Sequence, residues 1–256
     1  MKQNRKNSSR IRRSFAILFD VFERRSYKLE RMDTGDYTPA EYERCLSELV
    51  FINRFLGDAR ALRETLFRQI EKENLKTFSV LDVGAGSGEM LRSIADFARG
   101  QKRKTNLCGL ELNARSARAI LENSKNPREI SAVRGDALCL PFADDAFDYA
   151  ICTLFTHHFT DENVVVILRE MARVSKRKIF VVDLHRHKIA HRLYKIFCAA
   201  FRISDFVRED GSLSILRAFK KEELQTLANE ANLTEISVER HIPFRLVLQA
   251  KANRSK

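Results

Sequence analysis

Three groups of residues in this sequence have types and spacings suited to chemistry. The first is Val80-Leu81-Asp82-Val83-Gly84-Ala85-Gly86-Ser87-Gly88, an apolar run that passes directly into glycines. Residues without a Cβ let a backbone bend sharply and approach a ligand closely, and the free N–H groups of a helix that starts there favour a negatively charged group. The second is Glu111, 23 residues beyond Gly88. An acid at that distance, closing a second strand, can accept hydrogen bonds from both hydroxyls of a ribose; the alternative is a surface glutamate at a strand end. The third is a set of histidines, His157, His158, His185 and His187. An imidazole titrates near pH 6.5 and takes a proton at neutral pH, and Asp183 could orient one of them. For each histidine the alternative is a loop cap or a backbone partner.

The elements that must position these groups alternate strand and helix. Apolar runs predict strands over 78–83, 106–111, 130–133, 147–153 and 178–184. Helical periodicity fills the gaps: Met90, Leu91, Ile94, Phe97 and Ala98 stopped by Gly100, then Ala117, Ile120 and Leu121 turned inward, then 161–174 with Val164, Leu168 and Met171 inward. A helix near 220–231 and two strands over 235–242 and 244–250, split by Pro243, close the chain. Strands four and five should be neighbours, so the histidines just beyond them could converge on one pocket at the carboxyl edge of the sheet.

The glycine spacing is G-x-G-x-G, with Asp82 two positions before the first glycine, and departs from the G-x-G-x-x-G of dinucleotide enzymes. The third strand runs into Gly135-Asp136-Ala137-Leu138-Cys139-Leu140-Pro141-Phe142, followed by Phe147-Asp148. With the glycine loop and Glu111, this stretch resembles the class I S-adenosylmethionine (SAM)-dependent methyltransferases, most closely the branch of ubiquinone and menaquinone biosynthesis methyltransferases. The resemblance covers roughly 78–185. It implies an α/β, Rossmann-like fold: a seven-stranded, mostly parallel sheet with helices on both faces and an N-terminal helical cap. It also implies SAM as cofactor, with Asp82, Gly84, Ala85, Gly86, Gly88, Glu111, Leu112, Asp136, Ala137 and Thr153 at its site. In the family the aspartate equivalent to Asp136 accepts from the adenine amino group, and the following N–H, here Ala137, meets the ring. His157, His158 and His185 are the candidates for a catalytic base.

Before the first strand, Ile11–Lys28 joins apolar positions at helical spacing to Arg24, Arg25 and Lys28, which suits a basic amphipathic helix. Asp33-Thr34-Gly35-Asp36 reads as a turn. Thr38-Pro39-Ala40-Glu41 is a capping box, opening a helix that Gly57 ends. Asp58 can cap the next helix. The expected division is a basic tail and helical cap over 1–57 and a methyltransferase domain over 58–256, with an insertion about 187–218 shaping the acceptor pocket. The segment 188–202 is again apolar and basic.

Lys and Arg number 46 against 34 Asp and Glu, a net charge of +12. A basic surface suits nucleic acid, anionic lipid or an acidic substrate, or solubility alone. Base-methylating enzymes end strand four with Asp/Asn-Pro-Pro-Tyr/Phe; here Cys152-Thr153-Leu154-Phe155 stands there, and no Pro-Cys nucleophile occurs. A nucleic-acid partner is therefore not expected. The expected acceptor is an apolar small molecule such as a phenolic, polyketide or quinone precursor, methylated on a hydroxyl or activated carbon; an RNA acceptor and a non-catalytic SAM-binding protein are the alternatives. No metal is expected, because H-x-H at 185–187 with His157 and His158 matches no known zinc spacing. Five cysteines, odd in number and without C-x-x-C, fit reduced thiols in a cytoplasmic protein. Peripheral contact with an anionic membrane through the two basic helical segments is a further expectation.

Overall fold

The computed structural model of the chain describes residues 21–56, 58–124 and 129–253, without the side chains of 50 and 53–56. Seven strands form one sheet: Thr77–Val83 (β1), Lys104–Glu111 (β2), Ile130–Arg134 (β3), Phe147–Thr153 (β4), Ser175–Leu184 (β5), Leu233–His241 (β6) and Arg245–Ala252 (β7). Their order is β3-β2-β1-β4-β5-β7-β6. The first five are parallel; β7 runs antiparallel to both β5 and β6. Strand order reverses between β1 and β4, and in such sheets the crevice beyond the strand ends receives ligands. The central strands are apolar on both faces, as a sheet covered by helices on both sides requires; Val80, Leu81, Ile151, Phe180 and Val181 are all fully buried.

The helices are Arg31–Thr34 (α1), Pro39–Leu56 (α2), Asp58–Leu62 (α3), Arg68–Lys72 (α4), Glu89–Gly100 (α5), Ala114–Glu122 (α6), Asp161–Val174 (α7), Lys188–Ala200 (α8), Asp205–Arg217 (α9) and Lys221–Glu230 (α10). A π-turn, Arg63–Phe67, joins α3 to α4. Leu62, Leu66 and Ile70 from this segment join Leu91 and Ile94 of α5 in the core on one face of the sheet. Val164, Leu168 and Met171 of α7 and Leu224 and Ala228 of α10 form the core on the other. A third apolar cluster stands apart from the sheet. There Cys45 and Ile52 of α2 meet Ala190, Tyr194 and Cys198 of α8 and Phe206, Val207 and Ile215 of α9. The N-terminal cap and the insertion therefore pack on each other.

Several local expectations are corrected. Residues 21–28 form a turn and then an irregular path, not the end of a helix; residues 11–20 lie outside the described residues, as does Gly57. The cause is Arg25, whose side chain is buried rather than presented on a surface, while Ser26 N–H donates to Leu216 O at 2.9 Å. Asp33 and Thr34 belong to α1, which Gly35 closes in the left-handed conformation. Leu121 is not inward but 44% exposed; α6 buries Ala117 and Ile120 instead. The insertion contains a second helix, α9, that periodicity did not predict. It is weakly amphipathic because it is covered on several sides, burying Phe206, Asp210 and Arg217 alike.

Asp58 does more than start a helix. Its carboxylate pairs with Arg245 at the start of β7, through Arg245 Nε and, at 3.3 Å, Arg245 Nη2. Both residues are 2% exposed. Removing one member of a buried pair strands the other without water. Arg245→Ala is expected to destabilise the fold by about 3–5 kcal/mol, read from denaturant midpoints, and Asp58→Asn in the same chain should recover part of that loss. An Arg245→Ala chain as stable as the parent would show that the pair holds nothing together.

Candidate active site

A cavity of about 830 Å³ opens at the carboxyl ends of β1, β4 and β5. The glycine loop forms one end. Gly84 and Gly86 have φ of +73° and +53°, in the region that a side chain disfavours. A Cβ on Gly84 would lie 2.4 Å from the ring of Phe155, whereas Gly86 faces open space. The N–H groups of Gly84 and Ala85 donate to Leu110 O at 3.0 and 3.1 Å, which ties the loop to the end of β2. Glu111 accepts from Gly86 N–H at 3.0 Å and from Asn113 N–H at 3.1 Å. Its two oxygens keep lone pairs for further donors.

Of the residues expected at the cofactor, Asp82, Gly84, Ala85, Gly86, Glu111 and Thr153 line this cavity. Gly88 is set back as the N-cap of α5. Leu112, Asp136 and Ala137 lie outside the cavity wall. Gly135 N–H donates to Glu111 O at 3.2 Å, so the Asp136 turn sits beside Glu111. Asp136 is exposed, and its carboxylate accepts from Leu138 N–H at 2.9 Å. Ala137 is buried, and Leu112 is 62% exposed.

The chain's own geometry fits SAM. Asp82 Oδ1 and Thr153 Oγ1 are buried and make no hydrogen bond, and a buried acceptor without a donor is costly. Burial, with the Glu111 carboxylate nearby, pushes the Asp82 carboxyl up to about 8. The ammonium of SAM would supply the missing charge and donors, Glu111 would take the ribose, and the bare backbone of Gly86, which faces open space, would let the cofactor close on the loop.

The histidines divide. His157, His158 and His185 line the cavity; His187 instead caps α8, its Nδ1 accepting from Ile189 N–H at 3.1 Å. His157 and His158 form a 3-10 turn, Thr156–His158, just after β4. This turn is held by Asp183, at the end of β5 and fully buried. Asp183 Oδ1 meets His157 Nδ1 at 2.6 Å. Its Oδ2 accepts from Thr156 Oγ1 at 2.5 Å and His157 N–H at 3.1 Å, and its Oδ1 also accepts from Leu184 N–H at 2.7 Å. Burial would raise the Asp183 carboxyl, but His157 and these donors outweigh it and hold it at about 2. A carboxylate only accepts, so Nδ1 carries the hydrogen and Nε2 is the ring's remaining acceptor. His185 differs: burial, Arg240 and His187 push it down to about 4, which makes it a weak base at neutral pH. Immediately before the turn, Leu154 has φ +51°, a strained conformation for a branched side chain. Leu154 N–H is secured on Val182 O at 2.8 Å.

The groups behind the turn carry no spacing or motif that marks them in the sequence. Arg217 Nε donates to His157 O at 3.1 Å, Nη2 to His158 O at 2.5 Å, and Nη1 to Lys28 O and Asp33 Oδ2, each at 2.8 Å. Arg25 donates to Phe159 O at 3.1 Å and Arg217 O at 2.8 Å, pairs with Asp161, and lies 4.0 Å over the Phe219 ring. His158 Nδ1 meets Asp33 Oδ1 at 3.1 Å. Burial works against the Asp33 carboxylate, but His158, a backbone donor of Glu30 and Arg217 hold it at about 2. Among the described residues, Glu30, His157 and His158 each offer a metal-ligating atom within 4.8 Å of the others. Glu30 already has partners: Ser214 Oγ at 2.9 Å and Arg217 Nε at 3.8 Å.

Two outcomes follow for SAM. The raised Asp82 pKa means that this site weakens the fold as pH rises from the ordinary carboxyl range through about 8. An ammonium partner favours the carboxylate, so SAM affinity should rise with pH up to about 8, and binding below that pH should release a proton. Calorimetry in buffers of different ionisation enthalpy checks this; affinity flat across that range would remove Asp82 from the site. Glu111→Ala should weaken SAM binding by about 1.5–3 kcal/mol. Unchanged affinity with a large fall in melting temperature would mark Glu111 as structural.

Residues 80–178 match the family described as "Methyltransferase domain". The chain is 30% identical over 108 residues to the "Uncharacterized methyltransferase YcgJ" of Bacillus subtilis, covering 41% of this chain and 40% of the relative. It is 30% identical over 101 residues to a "Demethylmenaquinone methyltransferase" of Bacillus licheniformis, covering 40% and 41% respectively. The matched stretch thus spans about 40% of these curated relatives' length. Among solved structures, magnesium protoporphyrin IX methyltransferase from Synechocystis with bound SAH superposes with a TM-score of 0.56 at 12% identity, over 84% of this chain and 95% of that one. A SAM-dependent methyltransferase from Aquifex aeolicus gives 0.51 at 16% identity, over 72% and 87%. These two likenesses concern the fold. Residues 80–178 are similar to a methyltransferase domain, and the glycine loop, the sheet order and the orphaned buried atoms at the strand ends fit SAM.

Proposed function

We propose that the protein transfers the methyl group of SAM to a hydroxyl, or an activated carbon, of an apolar small molecule such as a phenolic, polyketide or quinone precursor. The observation that carries this reading is the position of His157. It lies in the wall of one cavity that runs from the glycine loop to Leu49, Ile52, Ala190, Leu193 and Phe197. Cofactor loop, imidazole and apolar wall therefore share one enclosure. The name of one relative, demethylmenaquinone methyltransferase, supports the same class of acceptor.

SAM supplies an electrophilic sulfonium methyl when bound. The residues of this chain have two tasks. Alignment falls to the walls, since an in-line displacement depends on holding the reacting atoms on one axis. Proton removal falls to His157. Asp183 fixes its ring and tautomer through Nδ1, so that Nε2 takes the proton from an acceptor hydroxyl. The same carboxylate stabilises the imidazolium that results. His158 sits beside this ring, at a centroid distance of 4.3 Å, and its own contact with Asp33 holds it as a neighbour that shapes the cavity.

Incubation with labelled SAM and a panel of alkylated phenols, polyketide-like enols and RNA tests the acceptor class. Methyl transfer confined to RNA, and falling steeply with added salt, would end the small-molecule reading. His157→Ala should lower kcat by about 10²–10⁴-fold with SAM affinity retained. Asp183→Asn should do the same by releasing the ring from its required tautomer. Both effects should be read as a split between kcat and SAM binding. Turnover unchanged in the His157→Ala chain would remove the base assignment.

A further inference from the structure

The helix α8 presents three sides. Ala190, Tyr194 and Cys198 are buried in the cluster shared with α2 and α9. Ile189, Leu193 and Ile196 recur at i, i+4 and i+7 and make one outward stripe. They are 48%, 51% and 64% exposed. Arg192 and Lys195, both exposed, run along the edge of that stripe away from the buried side. Exposed apolar side chains scattered singly need no explanation. Three in register on a single helix, edged by cations, form a patch.

The patch is continuous with the cavity. Leu193 lines the cavity and is more than half exposed, so it stands at the mouth. Leu29, in the N-terminal segment, has the same double position: it lines the cavity and is 63% exposed. The mouth of an apolar chamber is thus rimmed by leucines, and the helix that carries one of them continues the apolar surface outward. A water-filled entrance would not need such a rim, since moving an apolar molecule from lipid into water costs free energy in proportion to its exposed area.

We propose that α8 lies in the interface of an anionic lipid bilayer, with Ile189, Leu193 and Ile196 among the acyl chains and Arg192 and Lys195 at the headgroups, so that the cavity opens towards the membrane. This rests on the reading of an apolar acceptor given above. A helix with an apolar stripe and a cationic flank is the form that binds in the plane of such a surface. The occupant is anionic because the flank is basic and the chain as a whole carries +12. The helix does not cross the bilayer: among the described residues no helix is long and apolar enough to do so.

Sedimentation of the full chain with phosphatidylcholine vesicles, with and without phosphatidylglycerol, tests the proposal. The chain should pellet with the anionic vesicles, stay in solution with the neutral ones, and release as salt rises. Each basic residue at an anionic surface strengthens binding about fivefold, so Arg192→Glu with Lys195→Glu should weaken it by about 25-fold or more. Ile189→Ser with Ile196→Ser should weaken it as well. These four side chains lie outside the cavity wall, so both double variants should keep the parent's SAM affinity. Equal recovery with both vesicle types overturns the proposal. So does full binding by both variants, which would place the contact on another segment. A lipid-free dimer that these substitutions dissociate would assign the stripe to a second copy of the chain and also overturn it. Turnover of a detergent-dispersed phenol separates the two readings. A chain that methylates the phenol but ignores vesicles loses only the docking, and one that binds vesicles but methylates no apolar acceptor loses only the acceptor class.

Discussion

One buried carboxylate fixes the relation between two strands and the chemistry at their ends. Asp183 closes β5 with no exposure to water, and a charge so placed is tolerated only with a full set of donors. Those donors come almost entirely from the turn after β4: the hydroxyl of Thr156, the amide of His157 and its ring. The turn cannot leave without stranding the charge, so the imidazole inherits the rigidity of the sheet. A site carried on strand ends is held more tightly than one carried on a free loop. The strained Leu154 is the local cost of bringing the turn back over β5.

Behind that turn, the N-terminal segment and the insertion meet through arginines. Arg25 and Arg217 donate to backbone carbonyls in and just after the turn, and Arg186 donates to Phe22 O and Glu23 O of the N-terminal segment. An arginine offers five donors in a fixed plane, which allows one side chain to join three chain segments. The cap is therefore not a separate lid resting on the sheet. It is hydrogen-bonded into the turn that carries His157, while its apolar side packs on α8 and α9.

The parts of this arrangement that were legible in the sequence are local ones. A strand, a glycine turn and a helix follow one another within a short stretch, and period and spacing carry the information. His157 and Asp183 could be brought together from the sequence because one follows a strand, the other lies at the end of a strand, and the two strands are neighbours. Glu30, Asp33, Arg25 and Arg217 could not. Arg25 and His157 are 132 residues apart, and nothing in the type of either residue names the other. Arg25 looked like one cation among several on a helix face, and its burial is visible only once the carbonyls it serves are placed. Leu121 was misplaced for a related reason: an apolar residue at helical spacing fits an inward face, but α6 is short and covers the sheet with Ala117 and Ile120 alone.

The contact between Gly84 and Phe155 joins the two halves of the cavity. The ring of Phe155 fills the volume where a Cβ on residue 84 would stand, and it packs edge-on against Phe159 at 4.8 Å. Phe155 is also the residue that leads into Thr156 and His157. The gap between the cofactor loop and the imidazole is therefore gauged by an aromatic ring against bare backbone. Any side chain at position 84 would have to displace that ring, so the spacing between the loop and the turn is set by the thickness of one side chain.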